Sequence, residues 1–190
     1  MRLNLLSLTP LLLSTVALPA LAFDTKRPEV RSFIETMTRE HGFEKARLEA
    51  LLKSAETKQP ILDAISRPAE RVVPWHEYRD RFLTERRINQ GADFWLSHGE
   101  KLKQISDPQL ADVVVGILGV ETSFGRITGR YKVLDALVTL GFDYPPRGEF
   151  FLGELREFLL LSREEKVDPA TVLGSYAGAM GAAQFISSSY

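Results

Sequence analysis

The chain lacks cysteine altogether and holds only three histidines, three methionines and two tryptophans in 190 residues. Without cysteine it has no disulfide framework, no thiolate zinc site and no cysteine-attached lipid. His41, His76 and His98 are too far apart for metal-ligand spacing and read as surface or packing residues. An excess of one charge is missing too: 24 basic side chains stand against 25 acidic ones, for a formal net charge of -1. With both signs mixed along the chain, a nucleic-acid partner is not expected, while an uncharged or sugar-like ligand remains open. There is no Gly-rich phosphate loop, no serine-nucleophile motif and no Cys/His cluster. No alternation of polar and apolar residues is long enough to define a sheet.

What is present is an ordinary globular composition, 44% hydrophobic and 26% charged, on a chain long enough for one domain with a real core or a domain and part of a second. The first 22 residues read as an export signal. Arg2 supplies the positive end, Leu3 to Leu18 the apolar stretch, and Ala20-Leu21-Ala22 a small-residue cleavage pattern. Ser7, Pro10 and Ser14 interrupt the apolar stretch, so a retained membrane span is not expected. The expected mature protein begins near Phe23 and works beyond the cytoplasmic membrane.

The remainder reads as helix after helix, an all-α fold. Pro28 suits a first helical turn, with Val30, Phe33, Ile34 and Met37 on one face and His41-Gly42 as the stop. Leu48, Leu51, Leu52 and Ala55 mark a second helix, and Pro68 cuts off a short third one. Thr84 or Asn89 can cap a longer helix with Ile88, Ala92, Trp95 and Leu102 at helical spacing. Ser106-Asp107-Pro108 is a strong start, a side-chain cap followed by proline, for a helix running to Glu121. Val113 to Val120 is apolar all round, as expected of a helix in the middle of a domain. Gly116 and Gly119 each cost about 1 kcal/mol there relative to alanine, a cost that close packing of another backbone would explain. Val133, Leu134, Leu137 and Leu140 define the next helix, with Gly141 as its expected C-terminal cap. Phe151, Leu155, Phe158 and Leu159 define another, and the stretch from Gly174 to Phe185 is expected to begin a last one.

Two stretches carry chemistry. In "GILGVETSFGR" a single carboxylate, Glu121, closes an apolar run. Desolvation raises a carboxyl pKa, which is how a general acid stays protonated near neutral pH. Pairing with Arg126, or simple exposure at a helix end, is the alternative. In "GSYAGAMGAAQF" the small residues leave a surface where a ligand can lie against backbone, with Ser175, Gln184 and Tyr176 as hydrogen-bonding groups; tight helix packing would use the same residues. Met180 reads more as core than as a ligand contact. Tyr144 and Arg147 sit in a proline-rich loop suited to a sugar face or a carboxylate.

These two stretches, with "LDALVTLGFDYPPR" between them, resemble the lytic murein transglycosylase B family over roughly residues 75–190. The resemblance implies a lysozyme-like helical catalytic domain over 75–190, after a signal peptide at 1–22 and an N-terminal helical region at 23–74. It implies cleavage of the β-1,4 bond between N-acetylmuramic acid and N-acetylglucosamine in the periplasm of a Gram-negative bacterium. Glu121 matches the family's catalytic acid, which acts first as acid and then as base for the muramyl C6 hydroxyl. An intramolecular nucleophile removes the need for the second carboxylate of ordinary glycosidases. Ser175 and Gln184 match groove-lining positions, Arg147 falls in the loop for the muramyl peptide, and Tyr144, Met180 and Phe185 complete the expected glycan contacts. Two departures stand out: Pro146 where relatives carry arginine, and Ser187 where they carry proline. The chemistry implied needs no cofactor, and the family's calcium loop is expected beyond Tyr190. Glycan strands, and other cell-wall enzymes, are the expected partners. The competing reading is a truncated, non-catalytic peptidoglycan-binding or scaffolding protein.

Overall fold

The computed structural model describes residues 23–67 and 73–190. The expected signal segment, residues 1–22, and Pro68 lie outside the described residues. Three helices come first: α1 (Pro28–His41), α2 (Lys45–Lys53) and α3 (Gln59–Ile65). α1 begins with its proline and ends at Gly42, whose φ of 68° is the left-handed stop that glycine accommodates without strain. α2 starts where the Glu44 carboxylate accepts hydrogen bonds from the amides of Ala46 and Arg47 at 2.9 and 2.8 Å.

A four-residue turn, α4 (Trp75–Tyr78), leads to α5 (Glu85–Leu102) and α6 (Pro108–Thr122). Thr84 and Asp107 supply the caps, accepting from the amides of Arg87 and Gln109, so both expected starts are found. After α6 come α7 (Val133–Asp143) and α8 (Gly148–Glu164). The all-α expectation is met except for one antiparallel pair of two-residue strands, β1 (Tyr131–Lys132) and β2 (Leu173–Gly174), with Tyr131 opposite Gly174.

α7 is the axis of the core. Every residue from Val133 to Gly141 is buried, because α1–α3 pack on one side and α8 on another. Gly141 is not the expected cap. It sits inside the helix, where an added Cβ would lie 2.9 Å from Leu152 of α8 and where Gly148 comes in over its carbonyl. The helix runs two residues further because side-chain crowding, rather than backbone chirality, decides the use of this glycine.

An all-round buried helix still has to accommodate its polar residues, and α7 places them at every fourth position. Asp135 accepts from the Glu56 amide at 3.0 Å, Thr139 from the Lys58 amide at 3.1 Å, and Asp143 from the Thr57 hydroxyl at 3.2 Å and from Arg27 at 2.6 Å. The connection between α2 and α3 is not helical, and its buried amides require partners. The stripe on α7 supplies them.

α5 and α6 form an outer layer. On α5 the expected inward face is only partly found: Leu102 is buried, but Ile88, Ala92 and Trp95 are exposed, and Arg87, Gly91 and Phe94 turn inward instead. α6 differs more. Its buried stripe is Ala111, Gly119 and Thr122, whereas Val113, Ile117 and Val120 are 54, 48 and 49% exposed. The all-round burial expected for residues 113–120 is therefore not found. Among the described residues α6 packs mainly against one helix, α5, and one helix can cover only one face of another. No helix among the described residues is long and apolar enough to cross a membrane.

Burial holds the Asp135 carboxyl above the ordinary carboxylate range, against the Glu56 amide, Lys58 and Lys132, which favour its charged form. The unfolded chain then releases this proton at lower pH than the folded one, so this contribution to stability is full in acid and falls as pH rises through the raised value. Asp135→Asn keeps an acceptor for the Glu56 amide and removes the titration. In urea unfolding from pH 3 to 7, the stability of the variant relative to the parent is expected to rise with pH; a flat or falling difference contradicts this reading.

Candidate active site

Glu121 is the next-to-last residue of α6. It is exposed, on the same outward face as Val113, Ile117 and Val120, and has no hydrogen bond or ion pair among the described residues. The alternative pairing with Arg126 is not formed, and the exposed-end alternative holds for the chain as it stands.

The three residues that follow Glu121 are, in contrast, each pinned. Thr122 is 1% exposed. Its hydroxyl donates to the Ala182 carbonyl at 2.7 Å and accepts from the Gly125 amide at 2.8 Å, with the Leu118 carbonyl at 3.3 Å beside it. Ser123 receives a hydrogen bond from Arg87 of α5 at 3.1 Å. The other terminal nitrogen of that guanidinium is buried without a hydrogen-bond partner among the described residues, while its carbon lies 5.2 Å over the Phe82 ring. Phe124 pushes its ring between α5 and α6, 5.7 Å from the Phe94 ring. A Cβ added to Gly91 or Gly119 would lie 2.9 or 2.8 Å from the tip of that ring. The cost of Gly119 is thus explained by an aromatic ring, not by the expected second backbone, and Gly116 has nothing near it.

This turn is strained. Ser123, Phe124 and Gly125 have φ of 50, 62 and 78°, three left-handed residues in a row of which only one is glycine. Each of the first two costs about 1–2 kcal/mol in that conformation, and such strain persists where the surroundings over-determine it.

The glycine- and alanine-rich stretch is not a helix. Ser175 N–H donates to Ala179 O at 2.8 Å, and Met180 and Phe185 exchange backbone hydrogen bonds at 2.8 and 3.1 Å, making two tight turns. Gly178, Gly181 and Gln184 are left-handed, which a continuing helix excludes. The small residues admit close neighbours: a Cβ on Gly129 would fall 2.0 Å from the Gly174 backbone, and one on Gly178 would fall 2.6 Å from Leu137. Close packing explains the missing side chain at Gly174 and Gly178, where Val133 and Leu137 of α7 fill the space, whereas Gly181 has nothing within 4 Å.

The candidate contact residues divide accordingly. The Ser175 hydroxyl oxygen accepts from the amides of Ala177 and Ala179 at 3.3 and 3.0 Å, which leaves its proton to give. Gln184 spends its amide nitrogen on the carbonyls of Thr128 and Gly181, and its oxygen is left to accept. Met180 is buried in the core. Phe185 is half exposed, 6.4 Å from the Tyr190 ring. Tyr144 is partly buried against the core, and Arg147 stacks 4.3 Å over the Phe150 ring. Thr122 is the link that brings the 174–185 segment to the end of α6; no such contact joins Tyr144 or Arg147 to Glu121. A cavity of about 780 Å³ between the α1–α2 turn and the end of α8, lined by Phe43, Arg47, Leu159 and Arg163 among others, involves none of these residues. No group of three or more His, Cys, Asp or Glu side chains that could hold a metal ion occurs among the described residues.

The helical scaffold carries one carboxylate, Glu121, near the end of α6, and Thr122 ties that helix end to the small-residue turns. Comparison with known proteins supplies the class. The family model described as transglycosylase SLT domain matches residues 25–190. The membrane-bound lytic murein transglycosylase B of Escherichia coli is 38% identical over 174 residues, 86% of this chain and 48% of its own. The soluble lytic transglycosylase SltB1 of Pseudomonas aeruginosa superposes with a TM-score of 0.82 at 55% identity, over 85% of this chain and 55% of its own. SltB3 of Pseudomonas aeruginosa, solved in complex with NAG-NAM-pentapeptide, superposes with a TM-score of 0.74 at 25% identity, over 84% of this chain and 43% of its own. The chain belongs to the SLT-domain lytic transglycosylase family. It spans about half the length of the relatives it matches.

Arg87, Thr122 and Phe124 were not among the residues singled out in the sequence. The one signal for Phe124 was the cost of Gly119. Within α6 the two glycines separate the effects. Gly116→Ala meets nothing and is expected to stabilise the chain by up to about 1 kcal/mol through helix propensity. Gly119→Ala is expected to lose that gain, and more, to the displaced Phe124 ring. Chemical denaturation of both variants checks the order, and an equal gain at both positions contradicts the seating of the ring.

Proposed function

We propose that this chain carries the catalytic acid of a peptidoglycan lytic transglycosylase, with Glu121 in both proton-transfer roles. The observation that carries the reading is a carboxylate without a hydrogen bond or ion pair among the described residues, near a helix end whose next three residues are all fixed. Glu121 in its acid form gives its proton to the oxygen between N-acetylmuramic acid and N-acetylglucosamine as the bond from that oxygen to C1 breaks. The carboxylate then takes the proton of the muramyl C6 hydroxyl, whose oxygen bonds to C1. One C–O bond replaces another, the proton returns to Glu121, and no water is consumed. The products are a 1,6-anhydromuramyl end and a free hydroxyl on the departing sugar.

Val113, Ile117 and Val120 form an exposed apolar face beside Glu121. A glycan strand lying along this face and against the 174–185 turns covers that surface. The Ser175 proton and the Gln184 oxygen are the groups left to meet its hydroxyl and acetamido substituents. The relative solved with NAG-NAM-pentapeptide supports a muropeptide ligand, and the apolar N-terminal stretch supports a periplasmic site of action. The alternative, a binding protein without turnover, uses the same surface but not the proton transfers.

General acid–base catalysis of this kind contributes about 10²–10⁴-fold in rate. Glu121→Gln is therefore expected to lower the release of anhydromuropeptides from purified murein sacculi by at least a hundredfold, read by mass spectrometry, while sacculus binding is retained. Binding by the parent without any release favours the non-catalytic alternative, and undiminished release by the variant removes Glu121 from the chemistry.

A further inference from the structure

We infer that Thr122 is a positioning residue for Glu121, with Phe124 as its partner: together they fix the angle at which the carboxylate leaves α6 and tie it to the small-residue turns. The inference rests on the reading of Glu121 given above. A general acid has to approach its oxygen within hydrogen-bond reach, yet Glu121 has no contact of its own among the described residues to hold it. Its placement has to come from the backbone on either side, and α6 alone leaves that backbone at a helix end, where fraying is ordinary.

The hydroxyl of Thr122 uses both of its capacities here. It donates to Ala182 in the turn segment and accepts from Gly125 in the strained turn, so one side chain joins the acid's helix, the left-handed turn and the loop that carries Ser175 and Gln184. Phe124 is held from the other side, its ring wedged against Gly91 and Gly119. Arg87 adds a hydrogen bond from α5 to the intervening Ser123. The arrangement keeps two non-glycine residues left-handed. Relaxation of that turn would swing Glu121 relative to residues 174–185.

The test compares Thr122→Val, which keeps the shape but loses both hydrogen bonds, with Thr122→Ser, which keeps them. On murein glycan strands, Thr122→Val is expected to lower kcat by about tenfold to a hundredfold, the effect of an ångström-scale misplacement, with KM unchanged within about twofold. Thr122→Ser is expected to behave like the parent. A parent-like kcat in Thr122→Val, a loss confined to KM, or equal losses in both variants overturns the inference. A second readout does not depend on turnover. Backbone residual dipolar couplings are expected to show residues 118–125 reoriented against residues 174–185 in Thr122→Val only, with α7 and α8 unchanged; couplings identical in all three proteins overturn the inference. A parent that releases no anhydro products defeats the proposed function, and the couplings still decide the positioning. Should Thr122→Val fail to fold, Phe124→Leu takes its place with the same readouts.

Discussion

The polar stripe of α7 is the constraint on which the remaining structure depends. Asp135, Thr139 and Asp143 accept hydrogen bonds from residues 56–58 and from Arg27, so the α2–α3 connection is sealed onto a helix otherwise buried all round. That leaves the other faces of α7 for α8 and for the turns that follow β2. Leu137 touches the place where Gly178 must lack a side chain, and Val133 does the same at Gly174. The small-residue turns are therefore seated on α7, which is buried from Val133 to Gly141. Precision at a site of this kind is expected from rigid support beneath it rather than from the loop's own contacts.

Glu121 has the opposite character. It is exposed, unpaired among the described residues, and set on the face of α6 that has no helical neighbour among them. Two strained residues, Ser123 and Phe124, follow Thr122, each with a separate anchor. Strain held in place by independent contacts is characteristic of functional sites. Here it converts a frayed helix end into a defined one without consuming the carboxylate in an ion pair.

The helical part of this architecture was legible in the sequence wherever a local signal decided it. Pro28, Thr84 and the Asp107-Pro108 pair start their helices as their chemistry dictates, and the resemblance to transglycosylases named the family that the comparisons show. The failures share one cause: they depended on what lies across the gap. Gly141 was expected as a stop because glycine often ends helices, but Leu152 of α8 needs the space. The run from Val113 to Val120 was expected to be surrounded, yet hydrophobicity does not say how many neighbours a helix has. The stretch from Gly174 to Phe185 was expected to begin a helix from its small residues, while the chain turns at left-handed Gly178, Gly181 and Gln184, with Leu137 filling the space beside Gly178. Arg87 carries no local mark that would tie it to Ser123, thirty-six residues away.

The account's central claim is an intramolecular displacement at C1 in which Glu121 moves the protons and water takes no part. The most direct measurement is digestion of purified sacculi by this chain in water enriched in oxygen-18, followed by mass analysis of the released ends. The account predicts 1,6-anhydromuramyl ends with no oxygen-18. Reducing muramyl ends carrying one oxygen-18 at C1 from the moment of release would show that water is the nucleophile, and would contradict it.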